Sequence, residues 1–337
     1  MSEGILNAET QREELFVRTR EAFARKPFKP HPAFISGDAQ TLAAYAWPRP
    51  YRLHTPRADE ARLFEVEPGV RILAHCRWQP TPVDHATVII WHGMEGSTSS
   101  IYMIAMADKA FRRGFNVVRV NFRNCGNTEH LTPTLYYGGL SADPRFVIDE
   151  LIVKDGLKRL LPIGFSLGGN VLLKLLGEYG ADYPGEVVAS CAISPSVDLK
   201  ASTDRIQLRR NWLYHRSFLR RVKRKMRIKH QLYPELYDIT NLEAIKNIRA
   251  FDNRYTAIAA GFTNADDYYY ASSSLRVARD IRVPTLIIHA QDDPFIPFQS
   301  VCDEALQNNP NVLIVVGYGA SASSLDLALR YFGYVTP

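Results

Sequence analysis

The sequence predicts an α/β protein: a mostly parallel eight-stranded sheet with helices on both faces and a helical cap inserted over the carboxyl ends of the strands. Three observations predict it. Short, wholly apolar runs alternate with amphipathic segments along most of the chain, the pattern of a parallel sheet covered on both sides. A Gly-x-Ser-x-Gly turn joins one of these runs to one of these helices. Between the runs that end at Ile193 and begin at Thr285 lie roughly 80 residues rich in Tyr and Arg, too many for an ordinary connection.

The elements follow in order. Residues 1–60 combine a charged helix over Glu13 to Arg25 with a stretch holding Pro27, Pro30, Pro32, Pro48 and Pro50, and are expected to pack on the core as an arm. Ala61 to Cys76 alternates around Glu67-Pro68-Gly69, the chemistry of a hairpin turn, so the sheet begins with an antiparallel edge. Strands are then expected at Ala86–Trp91, Asn116–Val120, Arg159–Ile163, Val187–Ile193, Thr285–His289 and Val312–Val316. Helices are expected at Ile101–Arg113, Pro144–Lys154, Leu167–Tyr179 and Gln299–Gln307. The core is thus 61–196 with 276–337, and the cap 197–275.

The formal charge of +6 is local in origin. Arg205 to Lys229 carries eleven Lys or Arg and no carboxylate; removing those eleven charges from +6 leaves −5 on the remainder. That distribution argues against a nucleic-acid binder, and the eleven side chains are expected mostly to face solvent, since a buried unpaired arginine costs several kcal/mol. Trp212, Tyr214 and Phe218 interleave with these bases, a composition that suits weak contact with an anionic membrane surface; the plainer expectation is a solvated cap helix whose apolar residues face the core. Cys76, Cys125, Cys191 and Cys302 lie far apart with no His at ligand spacing, so no metal is expected. Met1 through Arg20 alternates acid and base with no signal-like apolar run, and no stretch approaches the ~18 apolar residues of a span. The expectation is a cytoplasmic monomer.

Ile163 closes a strand, Gly164-Phe165-Ser166-Leu167-Gly168-Gly169 follows, and a helix opens. Glycines on both sides of Ser166 permit a sharp turn that exposes its hydroxyl as a nucleophile, with the Leu167 amide facing a developing oxyanion. Trp91-His92-Gly93-Met94-Glu95-Gly96 follows another strand, and supplies Met94 as the second oxyanion-hole amide. His92 is expected to brace that loop rather than act as a base. His289-Ala290-Gln291-Asp292-Asp293-Pro294 runs from a strand into an acidic loop. Of its two carboxylates Asp293 is the better candidate for the catalytic acid, with Asp292 a loop residue. The glycines bracket a serine and no acidic residue follows at a dinucleotide spacing, so no cofactor is expected.

Together with Asn121 to Gly126, Thr134 to Asp143, Ser194 to Leu199, Phe251-Asp252 and Asp267-Tyr268-Tyr269, these segments resemble the α/β-hydrolase fold proteins of the bacterial YheT type and the plant embryogenesis-associated EMB8-like type. The likeness runs from about residue 30 onward. It implies a triad serine esterase, with carboxylester hydrolysis or monoacylglycerol lipase activity on a small ester or lipid-like substrate. Two positions depart from the family pattern: Asn124 stands for a usual Gly, and Tyr137 stands near a usual His.

The resemblance also implies a base in a Gly-Gly-His turn just after the last strand. Here that strand is followed by Gly317-Tyr318-Gly319-Ala320-Ser321-Ala322, and no histidine follows His289. Ser321 occupies the expected place of the base. A frameshifted, truncated or diverged C-terminus would each produce this pattern. Two functions remain open: an esterase working through Ser166, impaired or with a base from elsewhere, and a non-catalytic binding protein that keeps the fold and pocket.

Overall fold

The computed structural model describes residues 2–25, 37–38, 59–317 and 322–336. Eight strands form one sheet in the order β1-β2-β4-β3-β5-β6-β7-β8. They are β1 (Glu60–Glu67), β2 (Val70–Arg77), β3 (Thr87–Trp91), β4 (Asn116–Val120), β5 (Leu160–Phe165), β6 (Ser190–Ile193), β7 (Thr285–Ala290) and β8 (Val312–Gly317). Only β2 runs against the rest, pairing antiparallel with both β1 and β4. The hairpin turns at Gly69, whose φ of 74° lies in the left-handed region that glycine enters freely.

The apolar runs are explained by burial on both faces. On β3, Val88 and Ile90 point into one core with Met103 and Met106, whereas Ile89 and Trp91 point into the other with Leu172 and Leu176. Helices α1 (Ser2–Arg25), α2 (Ile101–Phe111) and the final helix Ala322–Val335 serve the first face; α3 (Ala142–Val153) and α4 (Leu167–Tyr179) serve the second. Leu15 and Phe16 tie α1 to Leu327 and Phe332. The rest of the expected arm, with its prolines, lies outside the described residues.

Two boundaries differ from expectation for identifiable reasons. The expected strand Val187–Ile193 is ordered as a strand only from Ser190, Val187 making an isolated bridge to Leu160. The expected helix Gln299–Gln307 is two short helices, Phe298–Val301 and Glu304–Gln307, because the Asp303 side chain accepts from the Ala305 amide and starts a new helix.

Between β6 and β7 come α5 (Leu199–Ile206), α6 (Trp212–Leu232), a short helix at Ile248–Phe251 that continues through a π-helical turn at Asp252–Thr256, and α7 (Ala265–Ser272). Met226, Tyr237, Leu242, Ile245, Phe251 and Tyr255 give these helices a small core of their own.

The expectation that the basic segment mostly faces solvent holds for six of its eleven bases, while three turn inward. Arg209, Arg210, Arg216, Arg220, Arg224 and Arg227 are exposed, but Lys223, Lys225 and Lys229 are buried. An α-helix with bases at nearly every other position must turn some of them inward. Each inward lysine finds oxygen partners: Lys223 donates to Glu243 O at 3.2 Å, Lys225 pairs with Glu95, and Lys229 donates to the carbonyls of Glu129 and Thr132.

Candidate functional site

Ser166 sits between β5 and α4 with φ 52° and ψ −116°, a conformation that a non-glycine residue holds only when its surroundings enforce it. Close packing does the enforcing. A β-carbon on Gly164 would lie 2.3 Å from Gly168 O, and one on Gly168 would lie 2.5 Å from His92 O. Ser166 N donates to Ile193 O at 2.9 Å, and Asn170 N closes the first helical turn onto Ser166 O at 3.1 Å. Leu167, the first residue of α4, therefore keeps one of the amides that a helix start leaves unpaired.

The turn after β3 packs directly on this serine. A β-carbon on Gly93 would stand 3.6 Å from Ser166 Oγ. Gly93 N donates to Tyr102 Oη at 3.0 Å, and Glu95 N donates to Tyr136 Oη at 3.0 Å. The Met94 amide between them has no acceptor among the described residues. His92 has both ring nitrogens engaged, Nδ1 with Gly93 O at 2.7 Å and Nε2 accepting from Phe122 N at 3.1 Å. It is a neutral brace, and burial pushes its pKa down to about 4.

Asp293 is buried in the loop after β7, where its Oδ1 accepts from Phe295 N at 2.8 Å and Ile296 N at 3.0 Å. Asp292 is half-buried beside Gly37. Ser166, Leu167, Met94 and Asp293 line one cavity of about 1000 Å³ under the cap, together with Leu199 and Met226. Arg205 donates to Asp293 O at 3.3 Å and Asn211 to Pro294 O at 2.7 Å, so α5 and the turn after it hold the loop that follows β7.

Ser321 lies outside the described residues, as do His31 and His54. Among the described residues no histidine lines the cavity. His289 is buried on β7 with its ring 6.2 Å from that of Phe298 and no hydrogen-bond partner on either nitrogen among the described residues; burial pushes its pKa down, against the charge of nearby Asp293 and the Ile296 backbone. Among the described residues no group of His, Cys, Asp and Glu is arranged to hold a metal ion, and no helix is long and apolar enough to cross a membrane.

Two contributors escaped the sequence reading. Asn170 on α4 donates to Gly138 O at 2.7 Å and Ser272 O at 2.8 Å and accepts from Ser274 N at 2.8 Å, binding two separate segments to the helix that follows Ser166. Lys225 reaches from the cap to Glu95, lies 4.4 Å from the centre of the Tyr136 ring, and approaches Cys125 Sγ at 3.2 Å. The helical spacing of Lys225 and Lys229 beside the apolar Met226 was the available signal.

Comparison with known proteins places this architecture. The model of the alpha/beta hydrolase family matches residues 88–321. The putative esterase YheT of Escherichia coli K12 is 32% identical over 277 residues, 81% of this chain and 80% of that one. The phospholipase ABHD3 of Mus musculus is 28% identical over 242 residues, 71% of this chain but only 58% of that longer protein. Among solved structures, an esterase of Pyrococcus furiosus, Pf2001, superposes with a TM-score of 0.54 at 17% identity, covering 85% of this chain and 98% of the other; that likeness is one of fold. Matched by the family over most of its length and by the bacterial relative over four-fifths of it, the chain belongs to the alpha/beta hydrolase family, among members of the YheT and EMB8 type.

Proposed function

We propose that the chain is a serine hydrolase of carboxylic esters, of the short-chain carboxylesterase or monoacylglycerol lipase type, working through an acyl-enzyme on Ser166. The observation that carries this reading is the meeting of the strained serine, the two unengaged amides of Met94 and Leu167, and Asp293 in one largely apolar cavity. The names of the relatives, an esterase and a phospholipase, support an ester substrate. Ser166 Oγ attacks the ester carbonyl, the amides of Met94 and Leu167 stabilise the oxyanion, and the alcohol leaves with a proton; water then releases the acid. Leu135, Val222, Met226 and Phe251 line the cavity and would surround the acyl chain. In this reading residues 197–275 form the cap that shapes the pocket, and the protein acts as a cytoplasmic monomer. Four unpaired cysteines support a reducing compartment.

The step without an assigned residue is removal of the serine proton. With Ser321 where the base belongs, turnover is expected to be poor: losing a triad base lowers kcat by about a million-fold, and oxyanion stabilisation with binding retains roughly a thousand-fold over water. Hydrolysis of p-nitrophenyl acetate and butyrate by the unaltered chain, by Ser166→Ala and by Ser321→His tests this. A rise of orders of magnitude in Ser321→His, abolished by Ser166→Ala, supports the reading. Turnover that survives Ser166→Ala overturns it. The engagement of His92 and the absence of His289 from the cavity lining favour a second reading, a non-catalytic binding protein, which predicts tight binding of an ester analogue with no gain from Ser321→His.

A further inference from the structure

We infer that the outer face of α6 and the turn before it dock on an anionic lipid surface, with the mouth of the cavity opening at the contact. No carboxylate occurs from Arg205 to Lys229. The structure divides that run into an inner face, with Lys225, Met226 and Lys229 buried, and an outer face on which Arg209, Arg210, Arg216, Arg220 and Arg224 are exposed. Among the described residues these five arginines form no ion pair, whereas Arg227 further along is paired with Glu243. Trp212, Arg216, Arg220 and Arg224 recur every four residues and so stand in one stripe.

The same face carries apolar side chains that a merely solvated helix would turn inward. Trp212 is 54% exposed, Leu213 67% and Leu208 47%. Arg216 lies over the Trp212 ring at 5.3 Å, an arrangement that keeps cation and indole together at an interface. The expectation that the apolar residues of the segment face the core holds for Leu219, Val222 and Met226 but not for Trp212 and Leu213. A row of cations beside exposed Trp and Leu is the chemistry of an anionic bilayer surface, where the bases meet headgroups and the apolar side chains enter the acyl boundary. A nucleic acid would use the charges but leave the leucines in water.

The patch is also continuous with the cavity. Leu213 and Ile101, both exposed, line it, as do Tyr214, Phe218 and Arg221 on the inner side of the same helix. A lipid leaving the bilayer at Trp212 and Leu213 would meet the apolar lining without crossing water. The inference adds a partner to the proposed ester hydrolase but does not require turnover.

The test uses the full chain carrying Ser166→Ala, so that hydrolysis plays no part. Flotation with phosphatidylcholine vesicles is compared with flotation on phosphatidylcholine–phosphatidylglycerol vesicles. Binding only to the second kind is expected, weakening as salt shortens the Debye length. Each of Arg209→Ala, Arg216→Ala and Arg220→Ala should weaken it about fivefold, and Trp212→Ser with Leu213→Ser by about tenfold or more. Brominated lipids in the vesicles should quench tryptophan fluorescence, and Trp212→Phe should remove that quenching. The quenching needs no destabilising change, so it decides the matter should a multiple variant fail to fold. Absence of binding, equal binding to neutral vesicles, binding without quenching of Trp212, or equally tight binding of a DNA duplex would each overturn the inference. Vesicle binding by a chain whose Ser321→His form never hydrolyses esters would keep it and discard the esterase.

Discussion

A β-carbon placed on Gly93 would lie 3.1 Å from Cβ of Ser166, so the turn after β3 and the turn after β5 meet at that one residue. The contact is tight but falls on a side chain, whereas the flanking glycines of the nucleophile turn face backbone.

That difference orders three substitutions. Gly93→Ala is expected to leave the protein folded, within about 1 kcal/mol, while pushing Ser166 by a few tenths of an ångström and slowing its labelling by a phosphonate probe. Gly164→Ala and Gly168→Ala bring a methyl against carbonyl oxygens at 2.3 and 2.5 Å, and are expected to destabilise by about 3 kcal/mol or more. Thermal unfolding of the three variants checks the order; Gly93→Ala falling with the other two would refute it.

Ser166→Gly should raise stability. Its φ of 52° with ψ of −116° is strained for any side chain and open to glycine, so relief of about 1 kcal/mol is expected in urea denaturation. Ser166→Ala, which keeps a β-carbon, should change little. A glycine variant less stable than the alanine variant would mean that the strain is absent.

Lys225 and Glu95 form a buried pair between α6 and the turn that carries the Met94 amide. Lys225→Met strands a carboxylate still hydrogen-bonded by Tyr136 and should cost about 3 kcal/mol. The double change Lys225→Met with Glu95→Gln should recover much of that loss. A double-mutant cycle measures the coupling, and simple additivity would show that the two side chains act independently.

Stability should fall in acid through His92. Its folded pKa of about 4 is depressed below the ordinary value near 6.5, so its contribution is full above pH 6.5, where folded and unfolded chains are both neutral at this ring. As the pH drops from about 6.5 toward 4 the unfolded state takes up a proton that the folded state refuses, and on the order of 3 kcal/mol is lost. His92→Gln should flatten that part of the pH–stability curve even if it lowers the plateau. An unchanged slope would assign the acid sensitivity to other groups.

The sheet was legible because each of its central strands is buried on both faces, which leaves runs such as Thr87–Trp91 and Leu160–Phe165 almost free of polar residues. The sharp turn at Ser166 was legible because its glycines answer a backbone requirement that few other residues meet. What could not be read were the partnerships across long separations. Lys225 and Glu95 are distant in sequence, and nothing local to either marks a buried pair. The three inward lysines, Lys223, Lys225 and Lys229, could not be read for the same reason: composition counts charges without showing which side of the helix each occupies. Trp212 and Leu213 erred the other way, apolar residues that the fold leaves in the open.

The order of strands bears on how the chain assembles. β6 must pair with β7, yet everything from Ser194 to Pro284 is threaded between them. Closing a loop that long carries a higher entropic penalty than any hairpin in the molecule, and such pairings form late. β1 to β6, with the serine turn, can therefore collapse while β7, β8 and the acid loop are still unattached. During synthesis the first part leaves the ribosome with β6 unpaired in addition to the edge at β1, and an unpaired edge invites other chains. The helices between β6 and β7, by clustering around Met226, Phe251 and Tyr255, shorten the effective tether and narrow the interval in which that edge is open to aggregation.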